Sequence, residues 1–70
     1  MNNRQIQDRR EAISFDLDSI GEELKDVRER LKDPNLSQDK RESLAQQERR
    51  LDNQEDRLIS EDVRLSLGLD

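Results

Sequence analysis

Seventy residues, 44% of them charged and 29% hydrophobic, with a formal net charge of -5, leave room for one small domain and exclude a large core. Cysteine and histidine are both absent, which removes disulfides, thiolate zinc sites and imidazole ligands together. A core of this size rarely stabilises a fold by more than about 3 to 5 kcal/mol without a staple, so self-association is the staple that remains.

The N-terminal segment MNNRQIQDRR lacks the apolar centre of a signal peptide, and no run of six apolar residues occurs anywhere. A cytoplasmic chain with no membrane partner is expected. The first predicted element is a helix over about residues 3–32. Ile13, Leu17, Ile20, Leu24, Val27 and Leu31 are spaced alternately four and three apart, which is the seam of a coiled coil. With Leu17 at a and Ile20 at d, the a series is Asn3, Arg10, Leu17, Leu24 and Leu31, and the d series is Ile6, Ile13, Ile20 and Val27. Leucine at a with β-branched residues at d favours four strands in parallel coiled coils, a pointer towards four helices.

Two residues of this helix lie off the seam. Phe15, the only aromatic residue, falls at f, farthest from the seam. An exposed ring there is a candidate anchor for a partner's pocket, weighed against the ordinary occurrence of single exposed apolar residues. Gly21 falls at e, where glycine costs about 1 kcal/mol relative to alanine in a helix interior. It either admits the close approach of another helix or is tolerated without a role.

Asp33-Pro34-Asn35 ends the ladder, because proline restricts the residue before it and lacks an amide hydrogen, while Asp and Asn bond their own backbone. The turn is expected over residues 33–37. Ser37 offers an N-cap hydroxyl and Asp39 a first-turn carboxylate, so a second helix is predicted over about residues 38–66. Leu44, Leu51, Leu58 and Leu65 recur every seven residues; lettered as a, they leave Gln47, Gln54 and Glu61 as the other seam positions. Ile59, Val63 and Leu67 form a second stripe, spaced by four and off the leucine seam.

A connection this short forces antiparallel neighbours, so residues whose numbers total about 68 should lie level. The expected fold is all-α: one antiparallel two-helix coiled-coil hairpin, dimerising into a four-helix bundle. Its oligomerisation seam comprises Ile13, Leu17, Ile20, Leu24, Val27, Leu31, Leu44, Leu51 and Leu58. Phe15, Ile59, Val63 and Leu67 are the expected partner contacts, placing the docking end away from the turn.

Residues 25–41 carry six basic and four acidic side chains, and the rest of the chain seven basic and fourteen acidic. The tip with Lys25, Arg28, Arg30, Lys32, Lys40 and Arg41 meets the minimum for phosphate contact but has no aromatic platform for bases. Ordinary pairing four residues apart, Lys25 with Glu29 and Asp26 with Arg30, accounts for these charges more simply. Nucleic acid is the less favoured partner, and the acidic balance disfavours anionic membranes.

Catalysis is not expected, because a narrow rod offers no concave, water-excluding site to perturb a carboxylate pair. There is no nucleophile with a histidine partner, no glycine-rich phosphate loop and no sign of a cofactor. Glu22-Glu23 and Glu55-Asp56 could hold a divalent cation weakly, but solvated surface charge is the simpler reading. The expected function is helix-mediated binding to another protein, as adaptor, assembly factor or inhibitor. In outline the chain also resembles the plasmid copy-number regulators of the Rop type. Those are short helical hairpins that dimerise into four-helix bundles and use one helical face on paired RNA loops. The resemblance is architectural, implies an RNA-binding regulator, and assigns no residue a role. A structural scaffolding rod is the third reading.

Overall fold

The computed structural model describes residues 2–68, in which two helices, α1 (Asn3–Leu31) and α2 (Gln38–Leu67), pack against each other as a hairpin. The Cα trace is a rod of 52 × 16 × 12 Å.

Local bonding accounts for where each helix starts and stops. The Asn2 side chain accepts from the Gln5 backbone N–H at 2.8 Å, and the Gln5 side chain accepts from the Asn2 N–H at 3.1 Å, a reciprocal cap on α1. The helix stops as the chain nears Pro34, where the Asp33 carboxylate accepts from the Asn35 N–H at 2.9 Å. Arg41, on the first turn of α2, ties the turn together by donating to the backbone carbonyls of Leu31 and Asp33. The Ser37 hydroxyl caps α2 by accepting from the Lys40 N–H at 3.3 Å. Gly68 ends it in the left-handed conformation, φ 71°, that glycine adopts without strain. Substituting Ser37→Ala is expected to cost about 0.5 to 2 kcal/mol, read as a lower midpoint in thermal melts followed by circular dichroism.

The core is one layer between the helices. Ile13, Ile20, Leu24 and Val27 of α1 are buried with Leu65 of α2, while Ile6, Leu17, Leu31, Leu44, Leu51 and Leu58 are half-buried. The nine seam residues therefore lie along the contact between the two helices of one chain.

The second seam is lettered differently from expectation. Gln47 and Gln54 are exposed, whereas Glu48, Glu55 and Asp62, each four residues after a leucine, are half-buried. The leucines thus occupy d, and a is taken by Arg41, Glu48, Glu55 and Asp62. A sevenfold leucine repeat is compatible with either lettering; the arginines of α1 select this one, because Arg28 reaches Glu48 and Arg10 reaches Asp62. Glu61 is half-buried as expected, but through its bond to Arg9. The register is slightly offset as well. Arg9 lies level with Glu61 and Arg10 with Asp62, so the paired numbers total 70 and 72.

Candidate protein-interaction surfaces

Ion pairs between the helices define two flanks of the rod. On the first, Arg28 Nε donates to Glu48 at 3.1 Å and its Nη2 to Asp52 at 3.3 Å, and Arg10 Nε donates to Asp62 at 3.0 Å. On the second, Arg9 holds Glu61 with both Nε and Nη2, the latter at 2.9 Å. Residues seven or eleven apart return to nearly the same side of an α-helix. Leu17 and Gly21 therefore share the first flank with Arg10 and Arg28, and Ile59 and Val63 share it with Asp52. By the same rule Asp16, Ile20 and Glu23 share the second flank with Arg9, and Gln47, Arg50 and Gln54 share it with Glu61.

The large apolar side chains exposed among the described residues are Phe15 at 73%, Ile59 at 45%, Val63 at 49% and Leu67 at 66%. They do not form one patch. Phe15 lies two residues from both Ile13 and Leu17, so it projects from the back of α1, away from α2. Ile59 and Val63 flank the leucine seam of α2 on the first flank, and Leu67 continues their stripe outwards. One partner surface cannot meet Phe15 and Leu67 together without wrapping the rod. That sidedness was not readable from the seven-residue repeat, since it depends on which flank each arginine takes.

The recesses are shallow and follow the flanks. One of about 560 Å³ is lined by Ile6, Ile13 and Leu17 with Arg10 and Asp62. Another, of about 390 Å³, lies beside Ile20 and Leu58 with Ser19 and Gln54 at its edge. A third, of about 370 Å³, sits at the turn against Leu36 and Leu44.

Much of the basic tip is engaged within the chain. Arg28 is bound to Glu48 and Asp52, Arg30 to Asp26, and Arg41 to backbone carbonyls. Lys25, Lys32 and Lys40 form no ion pair among the described residues, and Lys25 does not bridge to Glu29. No group of three or more potential metal ligands comes together among the described residues. None of their helices is long and apolar enough to cross a membrane.

The Arg9–Glu61 bond has a measurable electrostatic consequence. The hydrogen bond from Arg9 holds the Glu61 carboxyl below the usual glutamate range, against partial burial that acts the other way. The same bond raises Arg9, which stays charged throughout the accessible range. A carboxyl with a depressed folded value stabilises the fold fully above its unfolded value of about 4.3 and loses that contribution as pH falls through the folded one. The melting temperature of the Glu61→Gln variant is therefore expected to fall less than that of the parent between about pH 6 and about pH 3. Parallel curves would show that the pair contributes nothing to folding.

No protein-family model matches the chain, and comparison with curated proteins and with solved structures returns no match.

Proposed function

We propose that this chain is a non-catalytic, helix-mediated binding protein whose hairpins pair into a four-helix bundle and cover or bridge the surface of another protein, as an adaptor, assembly factor or inhibitor. The observation that carries the reading is surface left over after the helices have packed. The chain exposes 5687 Å². A compact monomer of 8.3 kDa exposes about 4,600 Å² by the usual mass scaling, so the excess is about 1,100 Å². A rod of 52 × 16 × 12 Å carries part of that excess by its shape, and a standard interface buries about 800 Å² per partner, so the flanks have area enough for one association.

The first flank is the face best suited to a second copy. Leu17, Ile59 and Val63 supply apolar contact there, and Gly21 lets a backbone come near. A Cβ built at Gly21 meets nothing within 4 Å in the single hairpin. In an unpaired hairpin Gly21→Ala therefore adds helix propensity without a clash and stabilises by about 1 kcal/mol. In a bundle with a helix seated over Gly21, the same methyl weakens the pairing.

Sedimentation equilibrium across concentration tests this. The expected result is a mass of at least twice the 8.3 kDa chain, with the pairing lost in Val63→Asp and Gly21→Ala shifting the balance towards monomer. A wild-type monomer at every concentration, together with a Gly21→Ala variant that is only more stable, overturns the bundle. The RNA-binding reading draws less support, because Arg28, Arg30 and Arg41 are already paired within the chain.

A further inference from the structure

Phe15 stands alone among carboxylates. Its neighbours on the outer face of α1 at helical spacing are Asp8 and Glu22 along its own column, Glu11 and Asp18 towards the first flank, and Ala12 and Ser19 towards the second; the four carboxylates are exposed and none is in an ion pair among the described residues. From Asp8 to Glu22 this acidic collar runs about 21 Å along the helix. The aromatic ring at its centre has no pocket to fill.

At the other end of the same rod is a pocket with no ring. The turn recess of about 370 Å³ is lined by Leu36 and Leu44, with Arg30, Lys40, Ser43 and Asp33 around them. The recess is shallow and open, and its apolar floor of Leu36 and Leu44 is the surface a phenyl ring would cover. Asp33, the one carboxylate in the lining, is committed to the Asn35 N–H. Lys40, in the lining, is free of ion pairs among the described residues, so the rim offers an unpaired base where the surroundings of Phe15 are acidic. Arg30 and Ser43 lie at multiples of seven from Glu23 and Arg50, which puts the recess on the second flank. The column through Phe15, Ser19, Glu22 and Asp26 borders that same flank, since Ser19 and Asp26 line its recesses.

From Phe15 to the end of α1 at Leu31 is about 24 Å, too far for the ring to reach the recess of its own chain. We propose that Phe15 of one copy inserts between Leu36 and Leu44 of another, with Asp8 and Glu22, on either side of the ring along its own column, meeting Lys40. The inference rests on reading Phe15 as a contact residue and names a second copy of this chain as its partner. Knob and hole are different patches, so the contact either is reciprocated in an antiparallel pair or repeats from chain to chain. It uses the back of α1 in one copy and the second flank of the other, and so leaves Leu17, Gly21, Ile59 and Val63 on the first flank free. It thereby joins bundles to each other.

The test is mixing of knob-less and hole-less chains, each full length and checked for helicity, with mass measured by sedimentation against concentration. Phe15→Asp and Leu36→Asp are each expected to lose the larger species, and an equimolar mixture to recover one contact per pair, because one chain keeps the ring and the other keeps the recess. Lys40→Glu, which leaves the apolar lining intact, is expected to weaken the association at least about tenfold and to replace Leu36→Asp if that chain does not fold. A mixture that behaves as the sum of its parts overturns the proposal. So does a wild-type assembly unchanged by Phe15→Asp. The two readings fail separately: Val63→Asp decides the bundle, and Phe15→Asp decides this contact. If Phe15→Asp instead abolishes binding of a foreign protein while self-assembly persists, the ring belongs to that partner and not to a second copy.

Discussion

Replacing Leu24 by alanine is expected to abolish the cooperative helical transition at room temperature and low micromolar concentration. Leu24 is 3% exposed and sits between Ile20 and Val27 in the most continuous part of the core. Truncating a buried leucine costs about 2 to 5 kcal/mol, because the removed methyl groups lose their burial and the cavity closes only in part. A single core in a chain of this length supplies no more than about 3 to 5 kcal/mol, so the loss matches the whole. A rod one side chain thick has no second layer to collapse into the gap. Circular dichroism of Leu24→Ala against Leu67→Ala, whose side chain is 66% exposed, makes the comparison. The Leu67 variant should melt within about 0.5 kcal/mol of the parent if that side chain packs against nothing. A Leu24→Ala chain that melts cooperatively near the parent temperature would place the stabilising contacts elsewhere, and restored melting at high concentration would show association supplying what the core has lost.

The hairpin was legible because two unambiguous signals coincide. The unbroken ladder from Ile13 to Leu31 gives α1 one apolar stripe, and Pro34 between Asp33 and Asn35 cannot continue a helix. The seam of α2 was not legible to the same degree. Four leucines seven apart mark one row and leave its neighbour undetermined between Gln47, Gln54 and Glu61 on one side and Glu48, Glu55 and Asp62 on the other. What decides is charge on the opposite helix. Arg10 and Arg28 sit where carboxylates can meet them, and glutamines would leave those arginines unmatched. Asn2 with Gln5 spells a capping pair that hydrophobic periodicity does not detect, since neither residue is apolar. For the candidate surfaces, the residues that break both repeats, Phe15 and the Ile59–Val63–Leu67 stripe, are the large apolar side chains exposed among the described residues. Their division between opposite sides of the rod needed the ion pairs, because a flank is defined only once two helices have a register.

The three acidic a positions of α2 are not equivalent, and the difference yields the second large effect. Glu48 and Asp62 are held by Arg28 and Arg10. Glu55 is half-buried between Leu51 and Leu58 and forms no ion pair among the described residues. A leucine there extends the apolar row without stranding an arginine. Full burial of a leucine side chain contributes about 1.5 to 3 kcal/mol, and half of that remains at a half-buried position. Glu55→Leu is therefore expected to raise stability by about 1 kcal/mol, or about 4 to 8 °C in melting temperature for a chain of this size. Glu48→Leu and Asp62→Leu should gain less, because each gives up a pairing while adding the same apolar area. Charged a positions restrict which helices can lie together and in what register, so the wild-type carboxylates exchange stability for a defined antiparallel pairing. Accordingly, the triple leucine variant is expected to melt highest and to associate least selectively, with a mass distribution in sedimentation broader than that of the parent. A Glu55→Leu chain that melts below the parent would show that the carboxylate meets a group outside the single hairpin. Its position seven residues from Glu48 puts that group on the same side of the rod as Gly21, where the bundle face is proposed.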